Sequence, residues 1–203
     1  VGVVQGSGRV RLADFYRLAL REGKPQFGES REYLQHVGSL DDSDPSNLLV
    51  IIPNWVTSIS NCFGGSPYYS ICCISECEEL LGGLEREFRS PSAEPADIAA
   101  FIAGLPPEST FSGPALTAPL LQHLEEIARN HSGRVPLHER PFALWMHLAY
   151  PRECPFPHDT PGAVRPLRTD EWERTTGKEA DASREEMLEH IDVPPRDERA
   201  ELF

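Results

Sequence analysis

The chain of 203 residues has few basic side chains, with 19 Lys and Arg against 32 Asp and Glu. The resulting net charge of −13 argues against a nucleic-acid partner, because phosphate binding requires clustered positive side chains. No apolar run approaches the roughly 20 residues of a transmembrane helix, and the longest candidate is Leu48–Ile52. The sequence contains neither a P-loop nor a G-x-G-x-x-G motif. We therefore expect an acidic protein without a transmembrane span of its own and without a nucleic-acid partner.

The first residue is Val1 instead of Met, and no cleavable signal pattern opens the chain. We interpret the chain as a processed product from which an address segment was removed.

Cysteine is more frequent than is usual for a cytosolic protein, and the five cysteines are Cys62, Cys72, Cys73, Cys77 and Cys154. They allow two disulfides and indicate an oxidising compartment. Because Cys154 lies far from the other four, we expect it to bridge to one of them. Buried free thiols and a thiolate site for zinc or copper(I) are the alternatives.

Apolar spacing and capping residues predict a mainly α fold, with about six helices joined by long proline-rich irregular connections. The Leu48–Ile52 run is either a buried strand or an extended core segment, and we prefer the extended segment because no second strand of similar quality is present. The Ser66-Pro67 pair predicts the start of a helix that reaches Phe88 and contains Cys72, Cys73 and Cys77. The other predicted helices cover residues 10–20, 30–37, 95–104, 118–130 and 142–150, with a short last helix from Ser183.

The composition changes near the C-terminus, where residues 170–203 hold twelve acidic and five basic side chains. We predict one helical, cysteine-containing body at residues 1–168 and an acidic extended arm with a short helix at residues 169–203. Such a segment cannot bury enough surface to fold alone, so if it is ordered it lies either on the body of this protein or on a partner. The arm is expected to attach to a partner with a basic or apolar docking surface, with Trp172, Leu202 and Phe203 as apolar anchors.

The candidate site is the stretch from His147 to His158, which combines two imidazoles and the thiol of Cys154 with three prolines. Proline fixes the backbone, so these side chains should occupy defined positions. One interpretation is a copper or zinc site formed by His138, His147, Cys154 and His158. The other is that His147 lies at the edge of the core with a backbone hydrogen-bond partner.

The remaining chemical motifs are weak. A Cys-His dyad at Cys154 would lack a Gly-rich oxyanion turn and a helix N-terminus behind the thiol, so no catalytic residue is assigned. His36, His123 and His190 are expected on solvated helix faces. The triplet Asn130-His-Ser132 matches the acceptor pattern for N-glycosylation.

Four phrases of the sequence resemble an uncharacterised protein family of photosynthetic protists of the diatom and dinoflagellate type. They are Ile51-Ile-Pro-Asn54, Ser60-Asn-Cys62 with Tyr68 to Cys77, Val135-Pro-Leu-His138, and Trp145-Met-His147 with Pro151 to His158. The resemblance covers about residues 10–160 and carries no catalytic residue. It implies an algal source and a plastid or thylakoid-lumen location, with secretion as the alternative.

Two functions follow from these patterns. The first is a non-catalytic accessory subunit without a cofactor. It would dock on a larger protein assembly, such as a photosynthetic membrane complex, through the Pro-rich segment and the acidic arm. The second is a copper- or zinc-binding protein, including a redox enzyme, that uses His147, Cys154 and His158. The first is preferred because the spacing of the ligands matches no known metal motif.

Overall fold

The computed structural model describes residues 7–21, 28–66, 69–71, 75–105, 116–158 and 166–191. These residues are mostly helical, which supports the mainly α prediction, although they form nine helices and also seven short strands. In chain order the elements are β1 (Arg9–Arg11), α1 (Leu12–Arg21), α2 (Arg31–His36), β2 (Leu40–Asp41), β3 (Leu49–Ile51), α3 (Ile52–Val56), a 3-10 turn (Ile59–Asn61), β4 (Phe63–Ser66), β5 (Tyr69–Ile71), α4 (Glu76–Phe88), β6 (Ser92–Ala93), α5 (Pro95–Ala103), α6 (Ala118–Asn130), β7 (Val135–Pro136), α7 (Arg140–Ala149), α8 (Thr169–Thr176) and α9 (Arg184–Ile191).

The chain divides into two compact units, and the division differs from the predicted boundary at residue 168. The first unit joins Val1–Cys72 to Thr160–Phe203, and the second is Cys73–Asp159. The C-terminal residues therefore belong to the same unit as the N-terminal ones. Among the described residues, no helix combines the length and apolar composition needed to cross a bilayer.

The first unit contains a three-stranded antiparallel sheet in the order β1-β3-β2. Strand β3 is central, with Val50 opposite both Val10 and Leu40. The interpretation of Leu48–Ile52 as an extended segment was therefore wrong. Its partner strands have only three and two residues, which is too short to produce a recognisable alternating pattern.

Helix α1 supplies one apolar face to the core of the first unit. Its buried residues Leu12, Phe15, Tyr16 and Ala19 recur at helical spacing. They cluster with buried side chains from the sheet, from α2 and from α9. The last of these contributions was not expected from the sequence.

The C-terminal segment is part of this core, so the prediction of an arm outside the core was wrong for its described residues. Met187 of α9 is 2% exposed and belongs to the cluster around α1. The residues just before α9 bind the backbone of residues 28–30. The amide of Ser30 donates to the carbonyl of Ala180 at 2.7 Å, and the amide of Ala182 donates to the carbonyl of Gly28 at 2.6 Å. The low average hydropathy of the segment concealed the few apolar residues that are buried.

Helices α4 to α7 and the short β6-β7 pair form the second unit, whose core is larger. Phe142 and Trp145 of α7 are buried with nearly parallel rings, 5.7 Å between centroids. The indole N–H of Trp145 donates to the carbonyl of Leu120 at 2.8 Å, which fixes α7 against α6. Helices α5, α6 and α7 each have a proline in their first turn, where its missing amide hydrogen costs no hydrogen bond.

Helix α4 begins nine residues later than predicted. Residues 63–66 and 69–71 form the antiparallel strands β4 and β5, and the helix starts at Glu76 with the hydroxyl of Ser75 accepting from the amide of Glu78 at 3.4 Å. A serine followed by proline also occurs in turns, which is why Ser66 was misleading. Only Cys77 of the three predicted helical cysteines lies in the described helix, and Cys72 and Cys73 lie outside the described residues.

Candidate functional site

The proline segment, Pro151–His158, follows directly on α7. Proline at position 151 cannot continue the helix, and the chain turns instead, with the amide of Cys154 donating to the carbonyl of Tyr150 at 2.8 Å. The amide of Glu153 donates to the same oxygen at 3.2 Å. This turn brings Cys154 back into the core, where its exposure is 0%.

A disulfide joins Cys154 to Cys77, in the first turn of α4. The two Cα atoms are 4.8 Å apart, and the residues are separated by 77 positions in sequence. The bridge that we expected at Cys154 thus selects one of the four possible partners. It fastens the proline segment to α4.

Cys62 is disulfide-bonded as well. The two remaining cysteines, Cys72 and Cys73, lie outside the described residues. Disulfides of this kind fit an oxidising compartment.

His147 links the end of α7 to the proline segment from within the core. The residue is 2% exposed, and its Nδ1 atom lies 2.8 Å from the carbonyl oxygen of Cys154. Because a carbonyl can only accept, Nδ1 carries the proton and donates it. The interpretation of His147 as a core-edge histidine with a backbone partner is confirmed.

Phe156 is partly buried between two imidazoles. Its ring centroid lies 5.3 Å from that of His147 and 5.2 Å from that of His158, and both contacts are nearly perpendicular. Pro155 and Pro157, on either side, are also partly exposed, and His158 is exposed. The proline segment therefore presents an aromatic side chain to solvent from a backbone fixed by proline, a disulfide and a buried histidine.

The four proposed metal ligands are not gathered into one site. His138 is about half-exposed and lies beside the carboxylate of Glu85 at 3.6 Å, while the sulfur of Cys154 is bonded to Cys77. No group of three or more potential ligands occurs among the residues that the structure describes. Copper or zinc binding by His147 and His158 stays a prediction about the protein with Cys154 reduced, which titration of the reduced protein with either metal would test.

The first unit holds a buried carboxyl group that the sequence did not indicate. The Oε1 atom of Glu29 accepts from the indole N–H of Trp55 at 2.8 Å, whereas its Oε2 atom is buried without a hydrogen-bond partner in the described part of the chain. Burial raises the pKa of Glu29, and the nearby carboxylate of Asp181 adds to this rise. The hydrogen bond from Trp55 opposes it.

Asp181 lies opposite Glu29 in an isolated antiparallel bridge. Burial raises its pKa, and the carboxylates of Glu173 and Glu179 raise it further. The contact between the N-terminal and C-terminal parts of this unit therefore includes two carboxyl groups whose pKa values are raised.

Two tyrosine hydroxyls of the first unit donate hydrogen bonds to backbone carbonyls. The hydroxyl of Tyr16 donates to the carbonyl of Glu29 at 3.1 Å, and that of Tyr33 donates to the carbonyl of Leu167 at 3.0 Å. Burial raises the pKa of Tyr33 to about 12. Both hydroxyls therefore remain protonated donors at neutral pH.

The aromatic side chains of this unit include Trp172, which we had predicted to bind a partner. Its ring centroid lies 4.7 Å from that of His36 and 5.7 Å from that of Tyr33. The Nε2 atom of His36 accepts from the amide of Leu167 at 2.8 Å, so Trp172 is part of the packing that secures its own segment. The other two predicted anchors, Leu202 and Phe203, lie outside the described residues.

Two histidines assigned to solvated helix faces are therefore structural. Burial lowers the pKa of His36, and it also lowers that of His190, whose ring lies 5.8 Å from the Tyr16 ring. The sequence could have indicated this burial. Each histidine lies one helical turn after a buried residue of its own helix, Tyr33 before His36 and Met187 before His190.

No protein-family model matches the chain, and no curated protein or solved structure shows significant similarity to it.

Proposed function

We infer that this chain is a non-catalytic accessory subunit that binds a larger protein assembly through the proline segment. The observation that carries the proposal is the side chain of Phe156, which is partly exposed and lies edge-on between His147 and His158. Aromatic residues supply much of the binding energy at protein interfaces.

Rigidity supports this role. A binding loop that is already ordered loses little conformational entropy when a partner binds. Here the order comes from the disulfide of Cys154, from the hydrogen bond that His147 donates to the carbonyl of Cys154, and from the prolines.

The compartment forms the second part of the proposal. The disulfides suit an oxidising environment, and the resemblance to an algal family directs the search for the partner to photosynthetic membrane complexes of the plastid. The partner would offer an apolar pocket for Phe156 and, because this chain carries a net charge of −13, a basic surface around it.

Purification of the tagged chain from its native source tests the proposal. We expect it to co-purify with one protein assembly in a fixed ratio and to lose that assembly in the Phe156→Ala variant. Leu121→Ala is the matched control, since Leu121 is an exposed apolar residue of the same unit, at 37% exposure. Recovery of the chain alone as a monomer, or equal loss of the assembly in both variants, would contradict the proposal.

A further inference from the structure

We propose that Asn130 is an N-glycosylation site. The acceptor pattern is Asn130-His-Ser132, and the chain contains no other Asn-x-Ser/Thr triplet. Such triplets occur by chance in many proteins. The inference therefore depends on where the folded chain places this one.

The triplet lies in the turn that ends α6. Asn130 is the last residue of the helix, and both Asn130 and Ser132 are exposed. Ser132 and Gly133 adopt positive φ values of 60° and 87°, and the amide of Gly133 returns to the carbonyl of Ala128 at 2.8 Å. The backbone thus closes the helix end with its own amides.

The side chain of Asn130 takes no part in this turn. It makes no hydrogen bond with any residue that the structure describes. The neighbouring His131 is directed away from it, with Nδ1 2.6 Å from the carbonyl of Ile127 and Nε2 3.2 Å from the carboxylate of Glu139. A glycan on Asn130 would therefore extend into solvent without displacing a contact of the fold.

The chemistry requires a polyprenyl-pyrophosphate-linked oligosaccharide as donor. The Nδ2 atom of Asn130 forms a bond to the anomeric carbon of the first sugar, and the bond from that carbon to the pyrophosphate oxygen breaks. The polyprenyl pyrophosphate leaves with the electron pair, and the amide loses one proton to a base of the transferase. The hydroxyl of Ser132 is the part of the pattern that the transferase recognises.

The disulfides provide the second line of support. The Cys77–Cys154 bridge and the bonded Cys62 suit the same oxidising compartment in which this transfer takes place. The inference therefore requires that the chain passes through the secretory route before it reaches its partner. It is independent of docking through the proline segment.

Mass spectrometry of the protein purified from its native source tests the inference. Treatment with peptide N-glycosidase in heavy-oxygen water should remove a glycan and leave labelled aspartate at position 130. In a eukaryotic secretory host, Asn130→Gln and Ser132→Ala should each abolish the glycan, while His131→Ala, which keeps the acceptor pattern, should retain it.

The native protein and the variants in the secretory host test the inference separately. A native peptide that carries unmodified Asn130 would overturn the inference, even if the secretory host modifies the site, and would leave the docking proposal intact. A glycan that persists in Asn130→Gln would place the modification elsewhere and would also overturn it.

Discussion

The Nδ1 atom of His147 lies 2.8 Å from the carbonyl oxygen of Cys154, inside the core of the second unit. One buried imidazole thereby satisfies the backbone of the turn that the disulfide closes. The hydrogen bond and the disulfide act on the same residue, so the position of the proline segment depends on both.

Replacement of His147 by alanine should destabilise the protein by about 2–4 kcal/mol. The change removes the donor to a buried carbonyl, which costs about 1–3 kcal/mol, and leaves a cavity next to Phe156. Urea denaturation measures the loss. His138→Ala is the matched control, because exposed residues usually change stability by less than about 0.5 kcal/mol. Equal effects of the two substitutions would contradict the role assigned to His147.

Removal of the Cys77–Cys154 bridge should also be costly. Closing a loop of 77 residues contributes about 4–5 kcal/mol by the chain-entropy model. We expect the double variant Cys77→Ala and Cys154→Ala to lose about 2–5 kcal/mol. Non-reducing peptide mapping of the native protein should show the linked peptides, and full alkylation of both thiols without reduction would contradict the pairing.

Helix α9 offers a direct comparison between two neighbouring residues. Met187 is 2% exposed and lies in the core, whereas Leu188 is 38% exposed. Met187→Ala should therefore cost about 2–4 kcal/mol and Leu188→Ala much less. Truncation after residue 168 should unfold the first unit for the same reason. A truncated chain with an unchanged melting temperature would restore the interpretation of residues 169–203 as an independent arm.

The pH dependence of stability should reflect Glu29 and Asp181. Their pKa values in the folded protein lie above the ordinary values of about 4.5 and 3.8. A raised pKa contributes stability that is complete below the unfolded value and is lost as pH rises through the folded value. The contribution of these two groups to the free energy of unfolding should therefore decrease as the pH is raised from their ordinary pKa values through the raised ones.

The Glu29→Gln variant isolates the contribution of Glu29. Glutamine keeps an oxygen for Trp55 but cannot ionise, so the decrease with pH should be smaller than in the natural protein. Urea denaturation at several pH values measures the slope. The exposed Glu126→Gln controls for the loss of one charge. A slope that is the same in all three proteins would show that Glu29 does not titrate with folding.

Features that depend on nearby residues were predicted better from the sequence than features that depend on distant ones. Helices α5, α6 and α7 were predicted close to their bounds because proline at the start of α5 and α7 and the apolar stripe of α6 are local signals. The backbone partner of His147 lies only seven residues away and is fixed by the intervening Pro151. Local rules were sufficient in these cases.

Features that depend on distant residues were missed. Glu29 accepts a hydrogen bond from Trp55, which is 26 positions away, and pairs in a β-bridge with Asp181, which is still more distant in sequence. Met187 joins a core whose other members lie mostly before residue 51. Composition averaged over the C-terminal segment could not reveal a few apolar residues that pack against the opposite end of the chain.

The central claim is that Phe156 is the main contact with a partner assembly. Affinity measurement between the purified chain and the assembly recovered from its native source tests it most directly. We expect Phe156→Ala to stay folded and to weaken binding by about 30-fold or more, corresponding to about 2 kcal/mol for an interface anchor. Leu121→Ala should bind as the natural chain does. An unchanged affinity in Phe156→Ala would contradict the account.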